Sequence, residues 1–264
     1  MMLPCGRCFY CKKRRREEWK IRLQHENMFA KDSYFMTYTY NEKALPIVKK
    51  LNPTSHGTYL TNNLHASLRK KDLQLYFKRV RKHFKLRHFS CGEYGDNTGR
   101  PHYHSIIFLE KKDVDGEMLK QLSKDWPYGH CYSGTVTPDS IRYVAGYVQK
   151  KLYADKDITR DHYNGREPEF QIQSQGIGIS WLEQNFSDVY HHGNILINGR
   201  PHSLPRYYRK KLEESLPTKQ WLQYLYRENR QRKVAQADKL LIATGYRDAT
   251  HWEEMDASQR TAYL

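Results

Sequence analysis

Apolar positions along the chain follow two periods. Between Leu64 and Lys85 they recur at Leu73, Phe77, Val80 and Phe84, with Lys and Arg on the intervening positions. That spacing predicts a helix with one buried stripe and one basic face. The stretch from Tyr34 to Tyr40, Y-F-M-T-Y-T-Y, is β-branched and aromatic throughout and predicts a buried strand. Leu86 to Glu93 and His102 to Leu109 flank a turn built from Gly95, Asp96, Asn97 and Gly99, and together predict a hairpin. A short helix is predicted from Asp115 through Met118, Leu119 and Leu122, and a further strand from Gly129 to Val136. Residues 41–63, with Pro46, Pro53 and Gly57, predict a polar loop. The resulting order, β-α-β-β-α-β, is the split arrangement of an α+β fold with an antiparallel central sheet.

The helix that follows carries an informative phase. Thr137-Pro138-Asp139 is a start signal, and I-R-Y-V-A-G-Y-V-Q-K-K-L runs from Ile141 to Leu152. At 100° per residue, Ile141, Val144, Ala145, Val148 and Leu152 share one arc, which should pack on the sheet. Tyr143, Tyr147, Lys150 and Lys151 share the opposite arc, with Gly146 beside them. The two tyrosines are one turn apart, about 6 Å along the axis, so both hydroxyls could serve one phosphate. A phenol of pKa about 10 needs help to attack at neutral pH. Lys150 and Lys151 are placed to stabilise the phenolate or the developing charge.

The hairpin supplies the complementary chemistry. His102 and His104 are two apart and project from one face of a strand. Folding the hairpin back brings Glu93 roughly opposite His102, so two imidazoles and a carboxylate form a three-point divalent-metal site. At the N-terminus, Cys5, Cys8 and Cys11 form two consecutive C-x-x-C spacings, a candidate structural zinc knuckle. Its fourth ligand is not specified, with His25, Cys91 and Cys131 as candidates. A basic helix is predicted over residues 12–30, and a basic amphipathic helix from Lys219 to Lys239. Between them, residues 155–215 show no clear period beyond a hairpin turn at Asn198-Gly199. Trp181, Tyr207 and Tyr208 are candidates either for stacking on single-stranded DNA or for the core. The expected organisation is 1–30 cysteine cluster and basic helix, 31–155 sheet domain, and 156–264 a C-terminal extension packing on or beside it.

Charge narrows the class of partner. The 264 residues carry a net charge of +16, which points to a polyanion, with nucleic acid the first candidate. The 21 tyrosines suit stacking on unpaired bases. No apolar run approaches about 18 residues and no signal-peptide core is present, so no membrane partner is expected and an intracellular location is. Five cysteines, three of them clustered, argue against a secreted disulfide framework.

His102-Tyr103-His104 followed by Tyr143-x-x-x-Tyr147-x-x-Lys150-Lys151 resembles the HUH endonucleases, specifically the two-tyrosine rolling-circle initiators of small single-stranded DNA phages. The similarity is closest to the gokushovirus (Microviridae) initiators. It takes in the cysteine cluster and basic helix, the strand from Phe35 to Tyr40, G-E-Y-G-x-x-x-G-R-P-H-Y-H, G-I-G-I-S-W from Gly176 to Trp181, and P-R-Y-Y from Pro205 to Tyr208. The resemblance implies that residues 31–155 form an HUH nuclease domain and that Tyr147 and Tyr143 are nucleophiles. It also implies that His102 and His104 bind Mg²⁺ or Mn²⁺. Glu93 as third ligand rests on the hairpin geometry and on likeness to related initiators. Imidazoles with a carboxylate suit Mn²⁺ at least as well as Mg²⁺. The implied partners are single-stranded DNA at a replication origin and host replication machinery, in the host bacterial cytoplasm. Oligomeric state is not specified. The alternatives are a non-catalytic nucleic-acid-binding protein, or a transposase or relaxase using the same chemistry.

Overall fold

The computed structural model describes residues 5, 8–54, 57–150, 165–197 and 199–215, without side-chain detail at 49–63, 148–150 and 215. The predicted helix over 219–239 lies outside the described residues. The chain divides into two compact units, Met1–Glu183 and Gln184–Leu264.

In the first unit the elements are α1 (Phe9–Phe29), β1 (Asp32–Thr39), β2 (Ile47–Thr54), β3 (Gly57–Ala66), α2 (Lys70–Val80), β4 (Leu86–Tyr94), β5 (Pro101–Leu109), α3 (Glu117–Lys124), β6 (Cys131–Thr135), α4 (Pro138–Lys150), β7 (Phe170–Gln173) and α5 (Ile179–Gln184). Five strands form an antiparallel sheet in the order β6-β1-β5-β4-β7. The fold class is therefore α+β, as the apolar pattern predicts.

Strand alternation sorts the core into two clusters. On β5, Tyr103, Ile107 and Leu109 join Met36, Tyr38, Leu73, Phe77 and Leu122, so α2 and α3 belong to one cluster. Ile106 and Phe108 point the other way, joining Trp19 and Leu23 of α1 and Ile141, Val144 and Ala145 of α4. Each such fully buried side chain is worth about 1.5–3 kcal/mol over its exposed state. Polar ties fix the elements where the apolar contacts leave freedom. Glu26 of α1 is buried, accepts both contacts of Arg87 Nη1 (3.0 and 3.1 Å), and accepts the Gly178 N–H at 2.6 Å. The buried Tyr40 hydroxyl donates to Asp72 at 2.8 Å and lies 2.7 Å from the Tyr103 hydroxyl, anchoring the first turn of α2.

Two expectations are corrected here. The loop predicted over 41–63 contains a two-stranded hairpin, β2 with β3, carrying a register shift between Lys49 and Leu51. Pro53 and Gly57 look like breakers, but both lie beside the turn, where a proline removes little of the ladder. The helix predicted from Leu64 starts only at Lys70. The chain is still paired in β3 to Ala66, and Arg69 is extended at φ −140°, ψ 94°.

In the second unit, α6 (Phe186–His192) ends on Gly193 in the left-handed region at φ 63°. It is followed by the hairpin of β8 (Asn194–Ile197) and β9 (Arg200–Ser203) and by α7 (Arg206–Ser215). The predicted turn is present, with Gly199 at φ 73°, while Asn198 lies outside the described residues. Tyr208 is fully buried, which removes it as a surface for stacking DNA bases.

Candidate functional site

The β4–β5 hairpin closes through the Gly95 N–H to the Arg100 carbonyl at 3.0 Å and the Gly99 N–H to the Gly95 carbonyl at 2.8 Å, with Gly99 at φ 62°. That turn sets the register: Glu93 pairs with His102 and Cys91 with His104. All four side chains leave the sheet on the α1/α4 face, because residues of odd number on β4 oppose residues of even number on β5. Glu93 Oε1 lies 2.8 Å from His102 Nε2 and 3.0 Å from His104 Nε2. Glu93 and His104 are buried, at 4% and 6% exposure.

The outer nitrogens of both rings are held from behind. His102 Nδ1 sits 3.2 Å from the Arg100 carbonyl, which can only accept, so Nδ1 carries the proton. His104 Nδ1 sits 3.0 Å from the Thr37 hydroxyl. The inner Nε2 atoms thus converge on a single carboxylate oxygen. Burial alone would push the Glu93 carboxyl up, but hydrogen bonds from His102 and His104 and their charge hold it at about 2. A carboxylate facing two imidazole nitrogens at this range requires a cation between them, either protons or a metal ion. His104 Nε2 has no hydrogen-bond partner, although Glu93 is 3.0 Å away. That unused buried lone pair and the three ligand atoms, all within 4.8 Å of one another, fit a metal ion.

The tyrosines come to this centre from α4. Thr137 Oγ1 accepts from the Ser140 N–H at 3.1 Å while Ser140 Oγ accepts from the Thr137 N–H at 2.8 Å, a reciprocal cap with Pro138 at the first helical position. The cap fixes the phase of the helix. Ile141, Val144 and Ala145 are buried, and Tyr143 is 46% exposed. The Tyr143 and Tyr147 ring centroids lie 5.3 and 5.9 Å from that of His104, and 4.7 Å from each other. Burial pushes the Tyr147 phenol well above its ordinary value, and hydrogen bonding to Tyr143 and the Glu93 charge push it further. Tyr143 is also raised, by burial and by Glu93, against a lowering hydrogen bond from Tyr147. Tyr147 is additionally packed at the edge of the core cluster, so it is not purely a polar-arc residue. The side chain of Lys150 and the whole of Lys151 lie outside the described residues.

Beside the phenols is a groove of ≈ 970 Å³ whose walls include Arg16, Phe35, His104, Arg142 and Gly146. Thr37, Phe35 and Arg16 are absent from the expected site. Phe35 stacks on His104 at 5.6 Å and meets Tyr143 edge-on at 6.2 Å. The signal for Phe35 and Thr37 is their alternation on β1, but it acquires meaning only once β1 is paired with β5, Thr37 opposite His104.

Cys5, Cys8 and Cys11 also converge, with ligand atoms within 4.8 Å, Cys5 and Cys11 Sγ 3.9 Å apart, and the Cys8 N–H donating to Cys5 Sγ at 3.2 Å. None of the three candidate fourth ligands joins them among the described residues. His25 is buried and stacks on Trp181 at 3.7 Å, Cys91 is buried on β4, and Cys131 packs against the α2/α3 cluster.

Comparison with known proteins agrees with this geometry. Residues 33–152 match the model of the replication-associated protein ORF2 family. Replication-associated protein VP4 of Bdellovibrio phage phiMH2K is 28% identical over 244 residues, covering 84% of this chain and 70% of the relative. Replication-associated protein ORF2 of Spiroplasma virus 4 is 28% identical over 251 residues, covering 88% and 74%. Replication-associated protein ORF4 of Chlamydia phage 1 is 24% identical over 229 residues, covering 80% and 54%. No solved structure matches the chain. The chain therefore belongs to the replication-associated protein ORF2 family and is of the gokushovirus type.

Proposed function

We propose that this protein is a metal-dependent HUH endonuclease and strand transferase that nicks single-stranded DNA at a phage replication origin and starts and ends rolling-circle replication. The observation that carries it is the juxtaposition of two phenols, on one helix turn, with the Glu93-His102-His104 centre. Glu93, His102 and His104 would hold the cation. A divalent ion on one carboxylate and two neutral imidazoles keeps net positive charge, which neutralises and polarises an anionic phosphodiester.

The phenolic oxygen of Tyr147 or Tyr143 attacks phosphorus, and the bond to the 3′ oxygen breaks. The strand is left 5′-linked to tyrosine with a free 3′-hydroxyl. Because the phosphoester is conserved, that hydroxyl can attack in reverse and rejoin the ends. The neighbouring phenol can take a second strand before the first is released. Burial holds both phenols protonated in the resting site, so each must lose its proton as it engages the phosphate. Lys150 and Lys151, one turn beyond Tyr147, are proposed to stabilise that charge. The partners proposed are origin single-stranded DNA and host replication machinery, in the bacterial cytoplasm. A net charge of +16 also suits a purely DNA-binding role.

Incubation with an origin-bearing oligonucleotide and Mn²⁺ separates the two. The nuclease should give a denaturation-resistant protein–DNA adduct that Tyr143→Phe/Tyr147→Phe abolishes. Tight binding without any adduct would leave only the DNA-binding role.

A further inference from the structure

The groove beside the tyrosines has a wall that the family match does not include. Residues 33–152 carry the metal centre and the phenols, whereas α1 precedes them. Yet α1 packs in the same core cluster as α4, through Trp19 and Leu23, and sends Arg16 into the groove. Arg16 ends the run Lys12-Lys13-Arg14-Arg15-Arg16. Its Nη2 reaches Glu17 at 3.4 Å, but its Nε is shut away from water with no hydrogen-bond partner. A guanidinium donor buried in that way is costly unless a ligand supplies the acceptor.

Gly146 is the second unexplained feature. It sits inside α4, where glycine is a poor helix former, and a Cβ there would meet nothing within 4 Å. No neighbour in the chain requires its bareness. It lines the groove between Tyr143 and Tyr147, so the requirement for space comes from what the groove receives.

We propose that α1 is the second wall of the substrate channel, in which Arg16 holds a backbone phosphate of the single strand and Gly146 lets that backbone pass close over α4 beside the phenols. The inference rests on the proposed function for the identity of its ligand. Arg142 is on the same wall as the phenols but is paired with Asp139 at 3.0 Å, so Arg16 is the donor that a phosphate would complete.

The test is the affinity of the full chain for a labelled mixed-sequence single-stranded oligonucleotide, by fluorescence anisotropy over a salt series without divalent metal. Arg16→Ala is expected to weaken binding about tenfold and to lower the salt slope by about 0.7, one phosphate contact. Arg16→Lys should keep the slope. Arg14→Ala makes the same charge change on the same helix, but Arg14 pairs with Glu18 and does not line the groove. It should bind within about twofold of the parent. Gly146→Ala should raise Tm by about 2–4 °C, and Gly146→Leu should bind about tenfold more weakly while remaining folded. Equal losses in Arg14→Ala and Arg16→Ala, or parental affinity in Gly146→Leu, would overturn the proposal. The two proposals fail separately. An adduct formed with binding indifferent to Arg16 removes only the channel wall, and Arg16-dependent binding without an adduct removes only the nuclease.

Discussion

At the scale of single residues, the site depends on groups that never reach the substrate. Thr37 touches the back of His104, and the Arg100 carbonyl the back of His102, so each ring presents Nε2 inward. Thr37→Val keeps the volume and removes that hydroxyl. It is expected to weaken Mn²⁺ binding on the order of tenfold, read by electron paramagnetic resonance titration, with little change in Tm. Two other histidines act only on stability. Burial holds His25 near 4, and burial with the nearby Arg81 charge holds His88 near 3, both below the ordinary 6.5. Between those values and 6.5 the unfolded chain binds more protons than the folded one. Their contribution is therefore complete above pH 6.5 and is lost as pH falls through that window. The loss is on the order of 3 kcal/mol for each. Urea unfolding at pH 7 and pH 5 measures it. His25→Phe, which retains a ring against Trp181, should flatten the difference.

At the scale of elements, two glycines make opposite predictions. A Cβ at Gly129 would stand 2.3 Å from the Thr39 carbonyl oxygen, where the chain enters β6 and exchanges hydrogen bonds with Thr39 and Asn41. Gly129→Ala should cost about 2–4 kcal/mol in chemical denaturation, whereas Gly146→Ala should gain about 1 kcal/mol. The elements that build the site were the legible ones. Thr137-Pro138-Asp139 marks the start of α4, the apolar arc marks its buried face, and the Gly-Asp-Asn turn places Glu93 against His102. What escaped depends on pairing partners distant in sequence. Phe170–Gln173 is a four-residue strand recognisable only by its place at the edge of β4, and β2–β3 hides behind Pro53 and Gly57. Arg16 reads as one charge among five, because nothing local says which side of α1 faces the phenols.

At the scale of the whole molecule, a net charge of +16 should make DNA affinity fall steeply with salt even where catalysis is intact. The cysteine cluster is proposed as a structural zinc site, which metal analysis tests independently of the nuclease. About one zinc per chain is expected, lost in Cys5→Ser/Cys8→Ser, while Mn²⁺-dependent adduct formation persists in whatever fraction remains folded. The central claim concerns where the DNA becomes attached. After reaction with origin single strand and Mn²⁺, digestion with trypsin should release the peptide Tyr143–Lys150, cut after Arg142 and Lys150, bearing both phenols. Mass spectrometry is predicted to find a 5′-phosphonucleotide on that peptide, on Tyr147 or Tyr143. An adduct on any other peptide, or none on this one despite strand cleavage, would contradict the account.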